Sequence, residues 1–297
     1  MNVEHPCTIA AFDVGGTKMA GALVRYSAAD AAPTVDALRS VPTEAQRGGS
    51  AVLDTLASLV ADVVADAEDD VVGIGVGTAG LVDVRTGGIA FANELMPGWT
   101  GQPVAERLSA SLGLPVAVLN DVKAHALGEA RWGAARGAQT CFVIAAGTGL
   151  GGGIVANGRV LLGAHGFAGE LGRTPCPDAL GTPRACGTAS ELESIAAGSG
   201  IEARYVATGG ERLAGDEIAR RAADGEELAR RIILEAGAVL GEADRNLDGS
   251  AGSGTCRALR LGMQRRKAWR AALQEGFERH GAFRDCTTCP SSIAALG

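Results

Sequence analysis

The sequence predicts an α/β protein that is divided into two domains of related design. Three observations support this fold class: strand-like and helix-like segments alternate, 297 residues exceed an ordinary domain, and a strand–glycine turn–strand pattern occurs twice, about 130 residues apart. With 46% hydrophobic residues and a mean hydropathy of +0.14, the chain is apolar enough for two cores. We place the boundary near Asn120, so the predicted domains are residues 1–119 and 120–297.

The first domain is predicted from β-branched runs and from apolar spacing. Strands are expected at residues 8–13, 19–26, 35–41, 71–76 and 116–119. Apolar residues three and four positions apart predict a helix that begins with Ser50 as N-cap and ends in the acidic cluster 68–70. A second helix is expected at residues 102–112.

The second domain repeats the opening pattern and then loses it. Strands are expected at residues 141–145 and 154–156, and helices at 122–132, 190–197, 216–223 and 226–247. Val239 is the last valine, and no isoleucine occurs between Ile233 and Ile293. Because buried sheets need β-branched runs, we interpret residues 248–266 as a poorly specified loop, followed by helical character at 267–280.

Composition and charge exclude several classes of protein. A net charge of −7 and a pI near 5.2 provide no basic surface for nucleic acid or anionic membrane, so neither is an expected partner. The sequence shows neither an apolar signal-peptide region nor an uncharged apolar window of about 18 residues, so no membrane span is expected. Seven scattered cysteines do not form a disulfide framework, which favours a cytoplasmic protein.

The 44 glycines are about twice the usual share, without a collagen-like period. Such an excess indicates tight turns or close approach of backbone to a ligand. Two glycine-rich loops and the segment 163–172 are the places where we expect backbone to meet phosphate or sugar.

The first glycine loop has the composition of a phosphate-binding turn. Gly15 and Gly16 let backbone N–H groups approach phosphate oxygens, Thr17 adds a hydroxyl and Lys18 a positive charge. Asp13, at the strand end, is placed to hold Mg²⁺ directly or through water. The alternative is a plain hairpin turn with a solvated lysine.

The second glycine loop includes Gly147, Thr148 and Gly149. It lacks the Walker A spacing, and no helix follows it, which argues against a dinucleotide fingerprint. A strand–loop–strand phosphate site fits better, with a glycine bulge as the alternative. Two such loops in corresponding places favour a nucleoside triphosphate in a cleft between the domains.

Asn120 and Asp121 lie where a buried strand passes into a helix. A carboxylate there can accept the proton of a substrate hydroxyl while that oxygen attacks a γ-phosphate. The alternative is simple N-capping of the helix by Asp121.

Taken together, the motifs resemble those of the ROK family of sugar kinases and sugar-responsive repressors. They occur in the family's order over roughly residues 8–245, at residues 13–18, 93–99, 120–121, 147–153, 166–172 and 191–193. The resemblance implies two actin-like (ribonuclease-H-like) domains with a nucleotide and sugar cleft between them. It also implies ATP and Mg²⁺ as cofactors, a sugar substrate, and a homodimer.

The resemblance also assigns roles to individual residues. The two glycine loops would contact the nucleotide phosphates, and Asp121 would be the general base that accepts the proton of the sugar's primary hydroxyl. The sugar hydroxyls would be bound by carboxylates and amides, which offer directional donors and acceptors. These substrate-binding residues are Asn93, Asn120, Asp121, Glu170 and Glu193.

Two departures from the family's pattern stand out. Arg173 replaces the histidine of a structural zinc site, and residues 184–193 read Arg-Ala-Cys-Gly-Thr-Ala-Ser-Glu-Leu-Glu where the family has Cys-x-Cys-Gly-x-x-Gly-Cys-Leu-Glu. Only Cys186 of the four expected ligands remains, so no structural zinc is expected. Residues 248–266 lack the family's strand and glycine triplet, which suggests a local reading-frame change or divergence, and the chain stops earlier than the family's.

The leading hypothesis is therefore an ATP-dependent hexose kinase of the glucokinase type, acting at the 6-hydroxyl. The alternatives are an N-acetylmannosamine or N-acetylglucosamine kinase, or a catalytically impaired sugar-binding homologue. A sugar-responsive repressor is disfavoured because the first strand begins by Thr8 and leaves no room for a DNA-binding domain. The sequence alone leaves open which sugar is used and whether polyphosphate replaces ATP.

Overall fold

The computed structural model describes residues 6–27, 32–176, 191–251 and 256–261. The chain divides into two compact units: unit 1 is Met1–His125 with Gly163–Phe167, and unit 2 is Ala126–Leu162 with Ala168–Gly297. Within the described ranges, no helix is both long enough and apolar enough to cross a membrane. The predicted helical segment 267–280 lies outside the described residues.

Unit 1 contains a five-stranded mixed sheet in the order β3-β2-β1-β4-β7. Strand β1 pairs antiparallel with β2 and parallel with β4, and β4 pairs parallel with β7. A separate hairpin, which was not expected from the sequence, joins β5 to β6. The strand bounds are β1 Cys7–Val14, β2 Lys18–Tyr26, β3 Thr34–Pro42, β4 Val71–Thr78, β5 Leu81–Asp83, β6 Gly88–Phe91 and β7 Val116–Asn120.

Three helices follow these strands: α1 (Gly49–Ala65), α2 (Val104–Leu112) and α3 (Asp121–Trp132), of which α3 contributes residues up to His125 to unit 1. The predicted apolar face of α1 is buried in the core of the unit. Ser50 is not the N-cap, because the helix starts at Gly49 after a Gly48 with φ 92°. A Cβ on Gly49 would lie 1.9 Å from the Gly98 oxygen, so close backbone packing sets this start.

Unit 2 contains a four-stranded sheet in the order β10-β9-β8-β11, covered by apolar faces of four helices. Its strands are β8 Thr140–Ala146, β9 Leu150–Ala156, β10 Arg159–Leu161 and β11 Cys256–Leu261. Its helices are α4 Glu193–Ala196, α5 Gly198–Ala207, α6 Gly215–Ala223 and α7 Glu227–Ala251. Helix α5 was missed, because its start at Gly198-Ser199-Gly200 resembles a loop in composition.

The loop interpretation of residues 248–266 is wrong for two parts of that segment. Helix α7 continues to Ala251, and β11 pairs parallel with β8 from Cys256↔Cys141 to Leu261↔Ala146. Strand β11 takes the position beside β8 that β4 takes beside β1, so both sheets repeat one order. The open edge of β8 offers a full row of backbone partners, and this pairing outweighs a composition poor in β-branched residues.

Candidate active site

The carboxyl ends of three strands of unit 1 form one row. Val14 of β1 pairs with Thr78 of β4, and Thr78 pairs with Asn120 of β7. The loops that leave these strands therefore emerge at one edge of the sheet, which is where open α/β sheets bind ligands.

Thr43, which is only 1% exposed, holds the loop after β1 in place. Its hydroxyl donates to the Gly15 carbonyl at 2.6 Å and its N–H donates to the Thr17 carbonyl at 3.0 Å. The Gly15 N–H donates across the turn to Lys18. These bonds use the carbonyl oxygens of the loop and leave Gly16 and Thr17 exposed at the turn.

Charged side chains flank this loop on both strands. Asp13 near the end of β1 and Lys18 at the start of β2 are exposed, as are Gly16 and Thr17. An exposed carboxylate beside a phosphate loop suits Mg²⁺, which prefers oxygen ligands and retains several waters. The residues present therefore fit this ion.

Asn120 and Asp121 together cap helix α3. The Asn120 Oδ1 accepts the Lys123 N–H at 3.2 Å, and the Asp121 Oδ1 accepts the Val122 N–H at 2.9 Å. Asn120 Nδ2 donates to Asp121 Oδ1 at 2.9 Å and to the Gly80 carbonyl at 3.0 Å. Asn120 is thus the N-cap, and Asp121 is the first helical residue with its carboxylate fixed by neighbours.

Gly80 connects this cap to the loop that carries Asn93. Its φ is 97°, and a Cβ there would lie 2.7 Å from the Phe91 oxygen. The Asn93 Oδ1 accepts the Leu95 N–H at 3.1 Å, which turns the chain. Trp99, fully buried, fixes the far end of the loop by donating Nε1–H to Thr78 Oγ1 at 3.1 Å.

In unit 2 the second glycine loop is held by the start of helix α5. The Gly198 N–H donates to the Gly147 carbonyl at 2.8 Å. Ser199 donates to the Thr148 carbonyl through both its N–H, at 3.2 Å, and its hydroxyl, at 2.7 Å. As in the first loop, the supporting hydrogen bonds are accepted by carbonyl oxygens of the loop itself.

Glu193 and Glu170 flank the start of β9. Glu193 is only 9% exposed, and its Oε2 accepts the Leu150 N–H at 2.8 Å and lies 2.9 Å from where a Gly149 Cβ would stand. Glu170 belongs to a segment whose glycines are in close backbone contact with β9. A Cβ on Gly172 would be 2.1 Å from the Leu150 oxygen. Glycine 172 thus serves backbone packing, where the sequence suggested ligand approach.

Arg173 stands where the family's pattern has a zinc-binding histidine, and this residue does not suit a metal. Arg173 has no lone pair to offer a metal, and its Nη1 donates to Glu191 Oε2 at 3.2 Å. Arg184 and Cys186 lie outside the described residues, and within the described ranges no group of three or more metal-ligating side chains occurs.

A family model named ROK family matches residues 9–248. The chain belongs to the ROK family. The match ends at the segment where the sequence departs from the family's pattern.

Curated ROK relatives differ in the sugar that they are named for. A glucokinase from Halalkalibacterium halodurans is 38% identical over 192 residues, which is 64% of this chain and 56% of the relative. An N-acetylmannosamine kinase from Shigella boydii is 35% identical over 237 residues, covering 78% of this chain and 76% of the relative. The chain therefore spans little more than half of the first relative's length.

Solved ROK structures confirm the fold. The ROK hexokinase from Thermus thermophilus superposes with a TM-score of 0.77 at 28% identity, over 98% of this chain and 93% of that chain. A ROK glucokinase from Streptomyces griseus, solved with glucose and AMPPNP, gives 0.76 at 25% identity, over 98% and 95%. The predicted α/β class with actin-like architecture is thus confirmed.

Each unit brings together part of the predicted site. Unit 1 brings the base candidate Asp121 and the sugar candidates Asn93 and Asn120 to the side of the first phosphate loop, whose candidates are Asp13, Gly15, Gly16, Thr17 and Lys18. Unit 2 gathers Gly147, Thr148, Gly149, Glu170 and Glu193 around the β8–β9 turn. The supporting residues Thr43 and Ser199 were missed, and neither carries a sequence signal that marks it as a support of a loop.

Proposed function

We propose that this protein is an ATP-dependent sugar kinase that phosphorylates a hexose at its 6-hydroxyl. The observation that carries the proposal is the fixed carboxylate of Asp121 at the start of α3, on the same sheet edge as the phosphate loop. A ROK family match over residues 9–248 and relatives named as sugar kinases support it.

In this proposal each glycine loop binds phosphate oxygens of a nucleotide. Gly16, Thr17, Thr148 and Gly149 donate their N–H groups, and Lys18 adds positive charge. Asp13 would hold Mg²⁺ directly or through water, and the ion supplies charge neutralisation of the phosphates.

Sugar hydroxyls are bound by Asn93 and Asn120 in unit 1 and by Glu170 and Glu193 in unit 2. The hydroxyl oxygen forms a bond to the γ-phosphorus while the bond to the ADP oxygen breaks, and Asp121 accepts the hydroxyl proton. Both amide hydrogens of Asn120 are donated to protein oxygens. Asn120 can therefore contact the sugar only through its side-chain carbonyl oxygen, and it also holds Asp121 in place.

Replacement of the base tests the proposal. Asp121→Asn keeps the shape of the cap but removes the proton acceptor, so kcat is expected to fall about 10²–10⁴-fold while sugar binding persists. Asp62→Asn, on the exposed side of α1, is the matched control and should remain active. Full turnover by Asp121→Asn would refute the assignment.

We propose two candidate sugars. The first is glucose, and the second is N-acetylmannosamine. The second is favoured by the Shigella boydii relative, which aligns over more of both chains than the glucokinase does. Binding of either sugar to wild-type protein without turnover would instead identify an impaired homologue.

A further inference from the structure

We propose that the ion pair between Arg173 and Glu191 is a positioning device that holds Glu170 and Glu193 for sugar, in the place where the motif pattern has a metal site. The inference rests on the proposed function, because it concerns the sugar-binding glutamates of that same site.

Glu170 and Glu193 lie on two chain segments of unit 2, residues 170–175 and 191–193, that run side by side. Pro175 and Glu191 form an isolated antiparallel bridge, and the Leu192 N–H donates to the Thr174 carbonyl at 2.9 Å. Glu170 begins the first segment and Glu193 ends the second. Any change in the register of these segments therefore moves the two carboxylates relative to each other.

Arg173 and Glu191 link the same two segments through their side chains. Arg173 Nη1 lies 3.2 Å from Glu191 Oε2, and the two side chains are 38% and 15% exposed. The mostly buried carboxylate of Glu191 makes this pair less open to solvent screening than an ordinary surface pair. The pair thus adds a charge-assisted link at the point where the backbone bridge begins.

Both segments also contact strand β9. Gly172, next to Arg173, packs its backbone on Leu150, and Glu193 accepts the Leu150 N–H. Both segments are thereby anchored to one residue of β9. The ion pair adds a direct link between the two segments, and together with their contacts to Leu150 it sets the separation of Glu170 and Glu193.

The two departures from the motif pattern are complementary in charge. Arg173 stands where that pattern has histidine, and Glu191 where it has cysteine, and in this chain these two residues bind each other. A guanidinium at this point disfavours a divalent cation, so the cross-link between the segments is ionic.

The test compares sugar and nucleotide kinetics in variants of the full chain. Arg173→Gln and Glu191→Gln should each raise the sugar KM about two- to fivefold, as expected for loss of one partly buried ion pair, and leave the ATP KM unchanged. The charge-reversed double variant Arg173→Glu with Glu191→Arg should recover most of the wild-type sugar KM.

A second ion pair serves as the control. Arg107 and Asp54, 3.0 Å apart, form a more exposed pair between helices α2 and α1 of unit 1, so Arg107→Gln should not change the sugar KM. Metal analysis of purified wild-type protein should find less than stoichiometric zinc. One zinc per chain, an unchanged sugar KM in both single variants, or equal effects on both substrates would overturn the positioning role.

The proposed function fails separately. Wild-type protein that neither phosphorylates nor binds glucose or N-acetylmannosamine would overturn it, and the positioning role with it. An active wild type whose single variants behave normally would overturn the positioning role alone.

Discussion

Thr43 offers the sharpest test of how the first phosphate loop is organised. Thr43→Val keeps the shape of the side chain but removes the hydroxyl that donates to the Gly15 carbonyl at 2.6 Å. Loss of a buried hydrogen bond that leaves its acceptor without that donor costs about 1–3 kcal/mol. The N–H bond from Thr43 to Thr17 persists, so the loop is loosened and not lost.

If about 1 kcal/mol of that loss appears as disorder of the loop, the ATP KM rises about fivefold while the sugar KM stays constant. The assay is steady-state kinetics in both substrates, together with the urea midpoint of unfolding. Thr55→Val is the matched control, because its hydroxyl donates to Ala51 within helix α1, away from the loop. An unchanged ATP KM in Thr43→Val, or an equal rise in Thr55→Val, would show that the Thr43 hydroxyl does not organise the phosphate loop.

Two further predictions concern packing and pH. Gly172→Ala would place a methyl group 2.1 Å from the Leu150 oxygen, so it should destabilise the protein by several kcal/mol, about 3 or more, and abolish activity. Thermal unfolding measures this, and Gly75→Ala, with open space around the added methyl, should be near neutral. The hydrogen bond from the Tyr205 hydroxyl to Glu226, with burial, raises the pKa of Tyr205 above its usual 10.0. A raised pKa means that this stabilisation is complete below about pH 10 and is lost at higher pH. Tyr205→Phe should therefore flatten the pH dependence of the urea midpoint above pH 10, and an unchanged profile would contradict this.

Local pattern predicted most of the secondary structure correctly. The strands of the first sheet and the apolar face of α1 follow from period-2 and period-3.6 spacing, which depend on residues near in sequence. Strand β11 was missed because its stability comes from pairing with β8, more than a hundred residues earlier. Such pairing cannot be inferred from the composition Cys-Arg-Ala-Leu-Arg-Leu alone.

The site candidates were found through their motifs, but their supports were not. Glutamate is a residue type that is mostly solvent-exposed in proteins, yet Glu193 is buried and accepts a backbone N–H. Thr43 and Ser199 hold carbonyls of loops that lie far from them in sequence. Glycines such as Gly49 and Gly172 permit backbone contacts that no local pattern predicts.

The proposed reaction of this chain is transfer of the γ-phosphoryl group of ATP to the 6-hydroxyl of a hexose. Phosphorus-31 NMR of wild-type protein with ATP, Mg²⁺ and either glucose or N-acetylmannosamine tests it most directly, with polyphosphate as a parallel donor. We expect a sugar 6-phosphate and an equal amount of ADP with at least one of these sugars. No phosphorylated sugar with ATP, or phosphate on the anomeric hydroxyl, would contradict it.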